Sequence, residues 1–89
     1  SELVRINSIN PTLVAGGAGE REIADYICGW MKSLPVRVET FEPEPGRVSV
    51  LATLPGWGDG PSLMLNAHVD TVGVEGMPEP FSGAIRDGK

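Results

Sequence analysis

The sequence predicts an α/β fold. Three observations carry that expectation. One stretch, Glu20 to Leu34, repeats apolar residues at helical spacing. Two short runs, Val36–Phe41 and Arg47–Leu54, are rich in strand formers and separated by a proline- and glycine-containing turn. A third run, Ser62–Ala67, is almost wholly apolar and ends in the only histidine of the chain, His68. Helix and strand periods in one short sequence, with apolar stripes on each, imply elements layered around a shared core.

The elements follow in order. Ser1 to Ile9 mixes apolar and polar residues and is expected as a short helix, ended by Asn10-Pro11, since a residue before proline is pushed out of helical angles. Ala15-Gly16-Gly17-Ala18-Gly19 is a turn. It lacks the preceding strand and the lysine of a phosphate loop, so it is taken as a connection. In the following helix, Ile23, Ile27, Trp30, Met31 and Leu34 form one apolar stripe, and the Trp30-Met31 pair is expected in the core. Glu20 and Glu22 suit the positive end of the helix dipole, Lys32 suits the last turn, and Pro35 stops the helix.

Val36 to Phe41 alternates with period two and is expected as a half-exposed strand. Glu42 to Gly46 is a turn with a solvated acidic tip, and the strand Arg47–Leu54 returns antiparallel. The loop 55–61 is shorter than a parallel crossover needs, so Ser62–Ala67 is not expected to pair in parallel beside the second strand. Its two apolar faces predict a central strand covered on both sides. From His68 onward, glycines and prolines punctuate a loop.

Composition narrows the function. The chain has 89 residues, enough for one small domain. Seven basic and twelve acidic residues give a net charge of −5, with the basic ones scattered, which argues against a nucleic-acid partner. No run approaches the roughly 20 apolar residues of a membrane span, and the first residues carry Glu2, Arg5 and Asn7 rather than a signal sequence. A single cysteine, Cys28, forms no internal disulfide and reads as a small apolar helix residue. The expected setting is cytoplasmic.

The chemical signal is His68-Val69-Asp70. Residues i and i+2 of an extended chain point to one side. A metal-bound imidazole usually donates its second N–H to a carboxylate, which sets its tautomer. His68 is thus the candidate metal ligand and Asp70 its partner. A purely structural His–Asp contact fits the same three letters.

The wider pattern points further. Leu65-Asn66-Ala67-His68-Val69-Asp70-Thr71-Val72, then Pro80-Phe81-Ser82-Gly83 and Ile85-Arg86-Asp87-Gly88-Lys89, resembles the zinc-dependent aminoacylase and carboxypeptidase family, of the acetylornithine deacetylase and succinyl-diaminopimelate desuccinylase kind. Ile9-Asn10-Pro11 and Gly19-Glu20 fit the same order. The resemblance implies that residues 1–89 are the N-terminal portion of a mixed-sheet α/β/α zinc exopeptidase-type catalytic domain, without its lid and dimerisation domain. It implies two divalent metal ions, zinc first, with cobalt or manganese as alternatives. It gives His68 as a metal ligand and Asp70 as the catalytic aspartate orienting it. The remaining ligands and the general base would follow Lys89. The implied reaction is hydrolysis of an N-acyl amino acid or small peptide by a homodimeric enzyme, residues 1–89 alone being inactive. The alternatives are a broader dipeptidase or carboxypeptidase, and a non-catalytic binding module on the same fold. Sheet-edge self-association is expected of the isolated chain.

Overall fold

A computed structural model describes residues 2–88. It contains two helices, α1 (Glu2–Arg5) and α2 (Arg21–Met31), and two strands, β1 (Arg37–Glu44) and β2 (Arg47–Thr53). This content is compatible with part of an α/β fold. The first helix is one turn, much shorter than the 1–9 expectation, whose Ser1 lies outside the described residues.

The strands pair antiparallel as expected, with Val38 opposite Ala52 and Thr40 opposite Val50. Pro45 and Gly46 form the turn, Gly46 having φ 78°. A positive φ at the position after proline is the geometry of a type II turn, and glycine adopts it without a Cβ clash. Between Phe41 and Glu44 the register shifts. The acidic tip is not merely solvated. The Glu42 carboxylate pairs with Arg21 and accepts the Gly46 N–H at 2.9 Å. Those two interactions, the arginine's first, hold its carboxyl below the usual range.

Helix α2 lies on the hairpin and makes most of its strand contacts with β2. The buried apolar residues are Ile23, Ala24 and Val48. The helical stripe is therefore only partly covered. Trp30 is 61% exposed and Leu34 also faces solvent, so the expected core role of the Trp30-Met31 pair is not met. The hairpin covers the first turns of α2, and nothing among the described residues closes over Trp30. The helix also stops early: Lys32 is its C-terminal cap rather than part of the last turn.

Glu20 departs from its expected role. It occupies the N-cap position without a side-chain cap bond. Its carboxylate, almost fully buried, instead takes the Arg47 Nε at 2.9 Å. Gly19 lets this corner close. Its φ is 74°, and a Cβ there would stand 2.6 Å from the Gly46 carbonyl oxygen. The neighbouring Glu20 N–H donates to that same oxygen at 2.9 Å.

The expected third strand is absent. Ser62 to Ala67 makes no backbone hydrogen bond among the described residues, and Leu63, Met64 and Leu65 are 85%, 75% and 88% exposed. The physical reason is the lack of a partner. An extended run becomes a strand only when a neighbouring chain satisfies its N–H and C=O groups. None of the described residues lies alongside this one.

Candidate functional site

Backbone hydrogen bonding resumes immediately after the exposed run. Ile9 and Thr71 form an isolated parallel bridge. The Asn10 N–H donates to the Thr71 carbonyl at 2.9 Å, and the Thr71 N–H donates to the Ser8 carbonyl at 3.0 Å. Ser8 is buried, and its hydroxyl donates to the Val69 carbonyl at 2.8 Å. The segment Ser8–Asn10 thus straps residues 69–71 from about sixty positions away.

This strap positions the two candidate residues together. The His68 Nδ1 lies 3.1 Å from Asp70 Oδ1 and 3.1 Å from the Asp70 backbone carbonyl. An ionised carboxylate and a carbonyl can only accept, so Nδ1 carries the proton in the neutral ring. The lone pair is left on Nε2. The His68 side chain is 86% exposed, whereas that of Asp70 is 27% exposed. The carboxylate is the held partner and the imidazole projects from it. His68 does not close a strand, as the sequence suggested. It stands where an unpaired segment meets a bridged one.

Asp70 has a second partner, distant in sequence. Asn10 Nδ2 donates to Asp70 Oδ2 at 2.8 Å. Asn10 and the His68 ring together hold the Asp70 carboxyl below the ordinary carboxylate range, the asparagine contributing most, against partial burial that pushes it up. In the sequence Asn10 stands out as the residue before Pro11 and as part of Ile9-Asn10-Pro11, not as a partner of Asp70. A polar side chain at a turn satisfies that turn as readily as a remote site, so its second role carries no local signature.

A wider polar network stands behind Asn10. Its Oδ1 accepts the Thr12 N–H at 2.8 Å, and the Thr12 hydroxyl accepts from Arg47 Nη1 at 2.9 Å. The same arginine holds the buried Glu20. The hydrogen bond to Glu20 raises the Arg47 guanidinium further above its already high value, and Asp70 adds a smaller favourable field.

An apolar groove borders the pair, lined in part by Val4, Ile23, Val69, Val74 and Phe81 as well as His68. The donor set fits one ligand of a metal centre, His68 through Nε2, with its orienting carboxylate. No cluster of three or more His, Cys, Asp or Glu side chains able to hold a metal occurs among the described residues. Among the described residues, no helix is long and apolar enough to cross a membrane.

Comparison with known proteins gives one consistent answer about likeness. No family model and no solved structure matches. Among curated proteins the chain is similar to hydrolases that act as deacetylases. It is 34% identical over 70 residues to the acetylornithine deacetylase of Vibrio campbellii, covering 79% of this chain and 18% of that protein. It is 35% identical over 71 residues to the acetylornithine deacetylase of Aliivibrio fischeri strain MJ11, covering 80% and 18%. The chain therefore spans under a fifth of the length of the curated relatives it matches.

Proposed function

We propose that residues 1–89 form the opening part of the catalytic domain of a metal-dependent amidohydrolase that acts on N-acyl amino acids, with acetylornithine deacetylase-like activity as the particular reading. The observation that carries it is the His68–Asp70 pair: a projecting imidazole whose Nδ1 is engaged by a held carboxylate, within a chain similar to acetylornithine deacetylases. In this reading His68 ligates one of two divalent metals, zinc first, through Nε2. Such a pair of metals, when bound, activates a water and polarises the scissile carbonyl.

What this chain supplies is orientation. Asp70 accepts the Nδ1 proton of His68, fixes the ring and makes Nε2 a better donor to a cation. Its lowered affinity for a proton keeps it an acceptor at neutral pH. The other ligands and the proton-shuttling base lie outside residues 1–89, in an enzyme that is cytoplasmic and homodimeric. The exposed run Ser62–Ala67 supports this reading, because its apolar side chains match a strand whose neighbours come from further chain.

The test is hydrolysis of N-acetylornithine by the intact enzyme and by its His68→Ala variant. Turnover by the intact enzyme and loss of at least about 100-fold in the variant are expected, since changing even a second partner of a ligand costs about 10–100-fold. Equal rates would contradict the assignment of His68. Residues 1–89 alone are expected to give no turnover.

A further inference from the structure

We propose that Asn10 is a positioning residue for His68: acting through Asp70, it fixes the imidazole as the Nδ1–H tautomer and presents Nε2 outward. The metal half of this proposal rests on the hydrolase reading. The tautomer half stands on geometry alone.

The direction of the Asn10 amide is determined by its two neighbours. A backbone N–H, that of Thr12, lies 2.8 Å from Oδ1 and can only donate. A carboxylate oxygen, Asp70 Oδ2, lies 2.8 Å from Nδ2 and can only accept. Flipping the amide would face donor with donor and acceptor with acceptor, so one orientation satisfies both contacts.

The asparagine backbone is held just as firmly. Its N–H is spent on Thr71, the residue after Asp70, and its carbonyl accepts from Leu13 and Val14 at 3.1 and 3.0 Å. The side chain therefore springs from backbone already bonded to the segment it steadies. Beyond it, Thr12 ties to Arg47 and Arg47 to the buried Glu20, so the network ends in the packed corner between α2 and the hairpin.

The consequence falls on Asp70. With Oδ2 occupied by Asn10, the carboxylate plane is set and Oδ1 is the oxygen left for His68, 3.1 Å away. Without Asn10 the carboxylate can rotate about its χ2 torsion, which is broad. The imidazole, 86% exposed, then keeps only the Asp70 backbone carbonyl, also 3.1 Å from Nδ1, and its proton moves more readily to Nε2, which occludes the ligating nitrogen.

The discriminating variant is Asn10→Asp. It keeps an acceptor for the Thr12 N–H, and with it the local turn, while removing the donor to Asp70. Because it also sets a second carboxylate beside Asp70, Asn10→Ala, which removes the donor without adding charge, is read beside it. His68 is the only histidine, so its ring nitrogens are assigned without ambiguity by long-range proton–nitrogen NMR of the 89-residue chain at about pH 8, above the usual imidazole range. The Nδ1–H tautomer is expected to predominate in the native chain and to fall several-fold in Asn10→Asp and Asn10→Ala. A native chain dominated by Nε2–H, or a ratio unchanged in Asn10→Asp, would overturn the proposal. A second readout holds even where the short variants fail to fold. In the intact enzyme, Asn10→Asp is expected to weaken zinc affinity about 10-fold by competition titration, the lower end for outer partners of a ligand. Unchanged affinity would overturn the proposal. An intact protein that binds no zinc would remove the hydrolase reading and the metal half together, and the NMR ratio would then decide the tautomer half on its own.

Discussion

Residues 62–67 and 69–71 adjoin one another in the chain and differ sharply in environment. The first run holds Leu63, Met64 and Leu65, has the stronger strand composition, and stands exposed without a backbone partner among the described residues. The second holds Val69, Asp70 and Thr71, looks unremarkable as sequence, and is bonded to Ser8–Asn10 through backbone, hydroxyl and amide groups. Apolar content therefore does not decide strand pairing here. The presence of a partner does. The His68–Asp70 pair is placed at the boundary, with Asp70 on the strapped side and His68 at the end of the exposed run.

The comparison breaks most readily through the packing beneath the strap. Ile23 is buried and lines the groove beside Val69. Ile23→Ala is expected to cost about 3 kcal/mol, within the range for truncating a buried isoleucine, and to lower the denaturation midpoint accordingly. A change below about 1 kcal/mol would mean that this corner is not packed. Ser8→Ala is the next largest. It leaves the Val69 carbonyl without its hydroxyl partner and is expected to cost about 1–2 kcal/mol. The loss should appear as faster amide exchange at Thr71, whose N–H is bonded to the Ser8 carbonyl.

Acid provides a graded version of the same test. The folded chain holds the Asp70 carboxyl below its unfolded value, chiefly through Asn10. A lowered folded value means that the contribution is full above the ordinary carboxylate range and is lost as pH falls through the folded value. Stability of the native chain should therefore decline on acidification more than that of Asp70→Asn. Parallel curves for the two would count against the Asn10–Asp70 contact.

The smallest folding effect belongs to the exposed run. Leu65→Lys is expected to change stability by less than about 0.5 kcal/mol, as for other surface positions. It should instead lower association. An apolar segment without backbone partners invites another copy, so the native chain is expected to scatter light as more than a monomer and the variant to approach one. A monomeric native chain would show that the run is not adhesive.

Local features of the fold were legible because their causes are local. The spacing of Ile23 and Ile27 gave the helix, and Pro45-Gly46 gave the hairpin turn. The i, i+2 relation brought His68 and Asp70 to one side. What could not be read depended on distant partners. Nothing near Asn10 announces Asp70, and nothing near Glu20 announces Arg47, since each pair is joined only by folding. The unpaired run at 62–67 and the exposed Trp30 have the same origin. Trp30 fits a helical spacing and 62–67 a continuous apolar run, and neither has a covering surface in the described residues.

The central claim is that His68, held by Asp70, is a metal ligand of an amidohydrolase. Metal analysis of the intact protein and its His68→Ala variant, after exhaustive dialysis, tests it most directly. The account predicts bound divalent metal, zinc first, in the native enzyme and a reduced content in the variant at unchanged secondary structure. Equal metal content in the two proteins would contradict it.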